Sequence, residues 1–179
     1  MWEAGEMVGI IYIEEFEPSD AQVLSFFELL ASPDQLEWDF EDAPDFVGMT
    51  GPQRLAAFRQ DKKPAIGQRH RFWAVDGQQV AGTSGIYVFG EPHRRHCADL
   101  GFGVRQSRQR QGVGYALVTA ALAKARELGL LRVEAACLAE NLPAMSLLQK
   151  AGFRPEGLAV GMIRKGGRPR DVRTFALML

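Results

Sequence analysis

The stretch from Asp99 to Gly114, with the amphipathic segment behind it, constrains the fold of this chain more than any other. Its first half is a short apolar run typical of a buried strand, and its second half is a polar turn punctuated by glycines. The next residues place one apolar stripe along a helix that Gly129 ends: Leu117, Val118, Ala121, Leu122, Ala125 and Leu128. The pattern predicts a strand that runs directly into a helix through a tight turn.

This junction is suited to hold an anion. Gly112 and Gly114 leave the backbone N–H groups of the first helical turn uncovered, and the helix adds positive potential there. Arg105, Arg108 and Arg110 are expected to supply formal charge. A pyrophosphate would fit such a site. The alternative is a tight strand-to-helix connection without a ligand, because two glycines at this spacing are weak evidence alone.

Two motifs of the chain occur together in one known family. Gln109-Arg-Gln-Gly112-Val-Gly114 matches the Gln/Arg-x-x-Gly-x-Gly/Ala signature of the GCN5-related N-acetyltransferases (GNAT), with Val104 five residues ahead as the strand-ending apolar residue. The segment from Asn141 to Phe153 resembles that family's Asn-x-x-Ala-x-x-Leu-Tyr-x-Lys-x-Gly-Phe. The chain is identified as a member of this family, with clear resemblance from about Phe72 to the C-terminus.

The resemblance implies that the glycine loop grips the pyrophosphate of acetyl-CoA, which acts as co-substrate. It also implies that the pantetheine arm bonds to the strand before the loop and to the helix after Asn141. For Asn141 the cap of that helix is an equally good explanation. The residues expected to bind acetyl-CoA are Phe102, Gly103, Val104, Gln109, Arg110, Gln111, Gly112, Val113, Gly114, Tyr115, Asn141, Leu147 and Lys150.

Periodicity and turn signals predict the remaining elements. In chain order they are a strand over 8–16, a helix from Ser19 or Asp20 to Leu30, a helix over 51–59, strands over 71–75 and 79–88 joined by Asp76-Gly77, a strand over 98–104, a helix over 112–128, a strand over 131–138, a helix over 141–152, and a closing hairpin of strands 159–164 and 172–178. A right-handed crossover makes strands 98–104 and 131–138 parallel.

This order predicts one domain over residues 1–179, with 1–7 as a flexible tail, of the α/β (α+β) class. It is the order of the acyl-CoA N-acyltransferase (GNAT) fold, a mixed central β-sheet with helices on both faces. The resemblance implies that the two parallel strands splay apart and that pantetheine enters the gap. Gly101 and Gly103 suit a close approach to the strand, and room for core packing is the alternative.

Acetyl transfer to an amine needs a group that removes the ammonium proton. Asp99 matches the strand position where many family members carry a glutamate base, although an acid facing solvent or paired with an arginine is the alternative. Arg94 and Arg95 are expected to be solvated loop charges. Leu148 departs from the family pattern, because it stands where a tyrosine is thought to protonate the leaving sulfur. Tyr87, Tyr115 or water would have to serve instead, or the thiolate leaves unprotonated.

The acceptor is expected to be a small amine such as an amino acid. The segment 34–45 holds six acids and no base, interleaved with aromatics, and could form a pocket wall for a cation. Trp38 and Asp39 are its candidate substrate-binding residues, and a solvated surface loop is the alternative. Two other functions stay open, namely a non-catalytic CoA-binding or regulatory module and acetylation of a protein N-terminus or an aminoglycoside.

Composition narrows the possible partners and the compartment of the protein. A net charge of −1 gives no general electrostatic reason to bind nucleic acid or an anionic membrane, and no apolar run is long enough to span a bilayer. The N-terminal acids do not fit a signal peptide, so the protein is expected to be cytoplasmic, with a homodimer left open. Cys97 and Cys137 are expected to be free thiols, and no metal site is expected.

Overall fold

The computed structural model describes residues 8–40, 45–60 and 67–179. The predicted tail over 1–7 lies outside these residues. The helices are α1 (Asp20–Leu30), α2 (Pro33–Trp38), α3 (Gly51–Gln60), α4 (Val113–Glu127) and α5 (Leu142–Lys150). The strands are β1 (Gly9–Tyr12), β2 (Gln68–Asp76), β3 (Gln79–Val88), β4 (Cys97–Val104), β5 (Arg132–Leu138), β6 (Arg154–Lys165) and β7 (Arg168–Met178). Short 3₁₀ turns cover Ile13–Glu15, Asp45–Gly48 and Gln106–Arg108.

The seven strands form one mixed sheet in the order β1-β2-β3-β4-β5-β7-β6. All neighbours are antiparallel except β4 and β5, which are parallel, as predicted. These two strands pair only where Cys97–Asp99 lie beside Arg132–Glu134. Beyond Asp99 they separate, although β4 continues to Val104 and β5 to Leu138. The predicted splay of the parallel strands is therefore confirmed.

Apolar residues fill a core on each face of the sheet, which confirms the prediction of helices on both faces. On one face, α4 and α5 bury residues such as Leu117 and Leu148 against β2 to β5 and β7. On the other face, α1 and α3 pack around Trp73, which is fully buried beside Phe26 and Phe58. Both cysteines are buried free thiols.

The first and last strands differ from the prediction in length. The strand predicted over 8–16 ends at Tyr12. The Glu14 side chain accepts the hydrogen bond of the Arg71 backbone N–H at 2.8 Å, and this side chain replaces the backbone carbonyl that a longer strand would have offered. The closing hairpin is longer than predicted, with strands over 154–165 and 168–178. The two glycines at 166 and 167 make the whole turn, both at positive φ, so residues 168–171 are extended rather than part of a loop.

The acidic and aromatic segment is not the continuous loop expected over 34–45. Its first part is helix α2, because Ser32 accepts the backbone N–H of Gln35 at 3.3 Å and Pro33 occupies the first turn. Residues 41–44 lie outside the described residues. This short helix lies beside the end of β4 and forms one wall of the site.

Candidate active site

A groove of about 880 Å³ opens where β4 and β5 separate. Residues of α2, β2, β3, β4, α5 and the loop before α4 line it. Of the residues predicted to bind acetyl-CoA, the groove brings together Phe102, Gly103, Val104, Gln109, Arg110, Gly112, Gly114, Tyr115, Asn141, Leu147 and Lys150. Asp99, Trp38 and Asp39 line the same groove.

The N-terminus of α4 is open toward the groove. Gly112 is its N-cap at φ 84°, and no side chain caps the helix. The first-turn N–H groups of Val113, Gly114 and Tyr115 therefore keep the unmade hydrogen bonds of a helix start. A Cβ at Gly114 would meet Leu147 at 3.0 Å and Val104 at 3.3 Å, so glycine lets this turn sit close to α5 and β4. This is the geometry of an anion-binding site at a helix N-terminus.

Two of the three arginines predicted to supply charge here have other partners. Arg105 donates to the carbonyl oxygens of Val80 at 3.2 Å and Ser25 at 3.1 Å, which ties the end of β4 to α1. Arg108 forms an ion pair with Asp76 of the β2–β3 hairpin. Both lie at the 3₁₀ turn after β4, which directs their side chains toward α1 and the hairpin. The exposed residue Arg110 and Lys150 of α5 supply positive charge to the groove.

The glutamines of the loop hold its shape with their side chains. Gln109 Nε2 donates to Asp34 of α2 at 2.8 Å and to the Val104 carbonyl at 3.2 Å. Gln111 Nε2 donates to the Ser107 carbonyl at 3.0 Å. These bonds fix the loop against β4 and α2, so the backbone N–H groups are positioned before a ligand arrives.

Along β4 the side facing α2 is nearly bare. A Cβ at Gly101 would meet no atom of the described residues within 4 Å, so these residues leave the strand open to a ligand at that point. A Cβ at Gly103 would lie 2.9 Å from Cδ of Gln35, which covers the strand there. Phe102 and Val104 pack against the core on the α4 face, so they can bind a ligand mainly through backbone groups that β5 does not pair.

Helix α5 forms the other side of the gap. Asn141 is its N-cap and accepts the Ala144 N–H at 3.1 Å, so the capping explanation holds for this residue. Lys150 Nζ lies 4.8 Å from the centre of the Tyr115 ring. Leu148, at the position of the family's tyrosine, is fully buried in the core rather than facing the groove. Its role in this chain is packing.

Asp99 lies on β4 at the base of the splay, beside Tyr87 of β3 and Glu134 of β5. The side chain is accessible from the groove, but the surrounding protein removes part of its hydration. This loss of hydration, reinforced by the nearby Glu134 carboxylate, raises the pKa of Asp99, and Arg94 opposes the rise. Such an environment favours a carboxylate that can accept a proton.

A charged network behind Asp99 was not predicted from the sequence. The expectation that Arg94 is a solvated loop charge is wrong, because its guanidinium lies 3.6 Å from the centre of the Phe89 ring and donates to Glu134 at 2.9 Å. Arg132 also donates to Glu134, at 3.0 Å, and pairs with Glu156. The strand register could have indicated Glu134, because a parallel pair places it beside Asp99.

Helix α2 is tied to both sides of the gap. Asp34 accepts from Gln109, as above, and the carbonyl oxygens of Leu36 and Asp39 accept from Lys165 Nζ of β6 at 2.5 and 2.7 Å. These bonds hold Trp38 and Asp39 in the wall of the groove. The solvated-loop alternative does not describe residues 34–38, which are helical and anchored.

The described parts of the chain lack two further classes of feature, a metal-binding cluster and a membrane-spanning helix. Residues 8–40, 45–60 and 67–179 contain no group of three or more histidine, cysteine or acidic side chains placed to hold a metal ion. Over the same ranges, no helix combines the length and apolar character that crossing a membrane requires.

Comparison with known proteins agrees with this geometry. The sequence model of the Acetyltransferase (GNAT) family matches residues 24–153. An uncharacterized N-acetyltransferase of Bacillus subtilis, YvbK, is 30% identical over 92 residues, which are 51% of this chain and 56% of that protein. The chain thus aligns with little more than half the length of this curated relative.

Solved structures extend the likeness to the whole fold. A ribosomal-protein-alanine N-acetyltransferase from Brucella melitensis superposes with a TM-score of 0.74 at 18% identity, over 96% of this chain and 100% of that chain. A phosphinothricin acetyltransferase from Sinorhizobium meliloti, solved with acetyl-CoA, gives a TM-score of 0.74 at 16% identity, over 97% of this chain and 89% of that chain. The family model covers most of the chain and the fold agrees throughout, so the chain belongs to the GNAT acetyltransferase family.

Proposed function

We propose that this chain is an N-acetyltransferase that moves the acetyl group of acetyl-CoA to a primary amine of a small molecule such as an amino acid. One observation carries the proposal. A single groove joins the uncapped N-terminus of α4 to Asp99 through the gap between β4 and β5. An anionic group can bind at one end, and a carboxylate suited to proton transfer lies at the other.

The residues present fit acetyl-CoA. The N–H groups at the start of α4, with Arg110 and Lys150 nearby, suit the pyrophosphate. The unpaired edge of β4 from residue 100 to 104 offers backbone groups to a pantetheine arm, and the bare surface at Gly101 lets it approach. Tyr115, half exposed beside Lys150, offers a ring to the same ligand.

In the reaction, acetyl-CoA supplies the acetyl group as a thioester. The amine nitrogen forms a bond to the carbonyl carbon, the carbon–sulfur bond breaks, and the coenzyme leaves as a thiol or thiolate. Asp99 takes the proton that the ammonium form of the acceptor must lose, directly or through water. The buried Leu148 cannot protonate the sulfur, so water or one of the groove-lining tyrosines Tyr87 and Tyr115 protonates it, or the coenzyme leaves as the thiolate.

The acceptor end combines aromatic and acidic groups. Trp38 and Asp39 of the α2 segment stand across the groove from β3 and β4 and suit a cationic amine by charge attraction and by contact with the ring. This end of the groove has room for a small molecule but is walled by α2, which Lys165 and Gln109 anchor. We therefore favour a small amine over a folded protein substrate.

The proposal is tested by the release of coenzyme thiol in the presence of acetyl-CoA and a panel of amino acids, polyamines, aminoglycosides and N-terminal peptides. We expect turnover with small amines. Turnover only with peptides or aminoglycosides would mean that one of these, and not a small amine such as an amino acid, is the acceptor. Tight binding of CoA without turnover on any amine would instead mean a binding or regulatory module.

The binding end has its own test. Gly112→Asp places a carboxylate against the phosphates and a side chain at φ 84°, so CoA affinity measured by isothermal titration should fall by at least about 100-fold. Gly129→Asp is the matched control, because it introduces the same residue at φ 70° at the far end of the same helix. Unchanged affinity in Gly112→Asp would show that the loop does not bind the phosphates.

A further inference from the structure

Helix α2 places one side-chain amide directly against β4 inside the groove. Gln35 lies over Gly103, because a Cβ built on that glycine would be 2.9 Å from Cδ and 3.0 Å from Nε2 of Gln35. Glycine leaves room for this contact, and a larger residue at 103 would displace the amide. Both residues line the groove. The Gln35 amide thus lies beside the part of β4 that β5 leaves unpaired.

The hydrogen-bonding capacity of this amide is unused. Of the described residues, three with a side-chain amide line the groove, and two of these amides are engaged. Gln109 Nε2 donates to Asp34 at 2.8 Å, and Asn141 Oδ1 caps α5. Within the described parts of the chain, neither polar atom of the Gln35 amide has a hydrogen-bond partner. The half-buried Gln35 therefore has both a donor and an acceptor to offer to a ligand.

The first turn of α2 holds Gln35 in place before a ligand arrives. Ser32, the N-cap, accepts the backbone N–H of Gln35 itself at 3.3 Å. Asp34, the preceding residue, accepts from Gln109 of the loop before α4. The backbone at Gln35 is thus fixed from two directions, so little ordering of this residue is needed when a ligand binds.

The position of Gln35 along β4 indicates which part of acetyl-CoA it would meet. Gly103 is four residues beyond Asp99, which corresponds to about 13 Å of strand. In a productive complex, the acceptor nitrogen lies within hydrogen-bond distance of Asp99 and next to the acetyl carbon. From that carbon, the sulfur and two methylene groups lead to the first amide of the pantetheine arm. An extended chain of these atoms spans about 10 Å from the carboxylate, so this amide lies near Gly103.

On the basis of the proposed function, we propose that Gln35 is a further binding residue for acetyl-CoA, and that its side-chain amide pairs with the pantetheine amide nearest the thioester. A side-chain amide carries both a donor and an acceptor, so it matches a peptide-like amide in both directions. The unpaired backbone of β4 binds the same arm, which is therefore held on two sides.

The experiment is a double-mutant cycle between the side chain and the ligand. Dissociation constants are measured by isothermal titration for CoA and for a CoA analogue in which two methylene groups replace the amide nearest the sulfur. Gln35→Met keeps the length of the side chain but removes its polar atoms. Gln149→Met is the matched control, because Gln149 is an exposed glutamine of α5 that does not line the groove. Contacts of the β4 backbone are common to all three proteins, so they cancel in the cycle.

We expect Gln35→Met to weaken the binding of CoA about 3- to 10-fold and that of the analogue less than about 2-fold, because only CoA loses a hydrogen-bond partner. Gln149→Met should change neither constant. Equal losses for the two ligands would mean that the substitution displaces α2, and tighter binding of CoA would mean that Gln35 merely covers the strand.

Either of these results, or unchanged binding of CoA, would overturn the assignment of Gln35 and leave the acetyltransferase proposal standing. The expected cycle without turnover on any amine would support the Gln35 contact and overturn the proposed activity. A wild-type protein that does not bind CoA would overturn both.

Discussion

The proton affinity of Asp99 depends on groups that the fold brings beside it, namely Glu134 of the neighbouring strand and Arg94 of the turn before β4. Reduced hydration raises its pKa first, the Glu134 carboxylate raises it further, and Arg94 lowers it. Arg94 and Arg132 both bond to Glu134, so the two arginines offset the negative charge beside the base. A base must be deprotonated to act, so activity should fall as the pH is lowered through this raised pKa.

This network gives a pH prediction with a definite sign. Glu134→Gln removes the charge that raises the pKa of Asp99, so the acidic limb of the kcat/KM profile should move to lower pH. Arg94→Gln removes the opposing charge, so the limb should move to higher pH. Asp99→Asn should lower the rate near neutral pH by at least about 100-fold and abolish the limb. A limb that stays in Asp99→Asn would assign the base to another group.

Helix α2 illustrates how an element can be fixed by distant parts of the chain. It has only the residues Pro33–Trp38, too few to be stable alone. Its Asp34 accepts from the loop that precedes α4, and its last carbonyls accept from Lys165 at the end of β6. Arg170 of β7 also lies 3.8 Å from Glu37. The wall of the groove that α2 forms is therefore held by the loop before α4 and by the β6–β7 hairpin.

Removing one of these ties should affect the acceptor and spare CoA. Lys165→Met deletes the donor to the Leu36 and Asp39 carbonyls, so Trp38 and Asp39 lose their fixed position. Since hydrogen bonds to charged groups contribute about 1.5–3 kcal/mol, we expect the amine KM to rise about tenfold or more, with the CoA affinity unchanged. Arg168→Met, an exposed cation beside the same turn, is the control. An equal rise in the amine KM of Arg168→Met would mean that the loss of a positive charge, rather than the loss of the Lys165 hydrogen bonds, causes the change.

The sequence predicted those elements whose cause is local. The glycine loop, the apolar stripe of α4 and the Asp76-Gly77 hairpin each depend on residues that are close together in the sequence, and the structure contains all three. It did not predict the partners of Arg105 and Arg94, because these depend on which strands become neighbours. The end of β1 was missed for the same reason, since Glu14 meets Arg71 only after the strands pair.

At the scale of the molecule, the sheet consists of two parts that are connected by only a few paired residues. Strands β1 to β4 and strands β5 to β7 are each paired over most of their length, but β4 and β5 share only the pairs from Cys97 to Asp99. Helix α4 packs on β1 to β4, and its Leu117 and Val118 belong to an apolar core that also contains Val133 of β5. The facing edges of β4 and β5 beyond Asp99 are left to other partners, which gives a ligand in the gap direct access to backbone groups.

Binding of CoA in this gap should slow hydrogen exchange of the β4 amides that face it. When CoA binds, hydrogen exchange should slow about fivefold for amides of β4 over 100–104 that face the gap, because each gains a hydrogen bond of about 1 kcal/mol. Amides of β1 and of the β6–β7 turn, remote from the groove, should change only with global stability. Gly112→Asp at the same CoA concentration should lose this protection. Protection confined to residues 109–115 would mean that CoA binds the loop without entering the gap, and the acetyl group would then not reach Asp99.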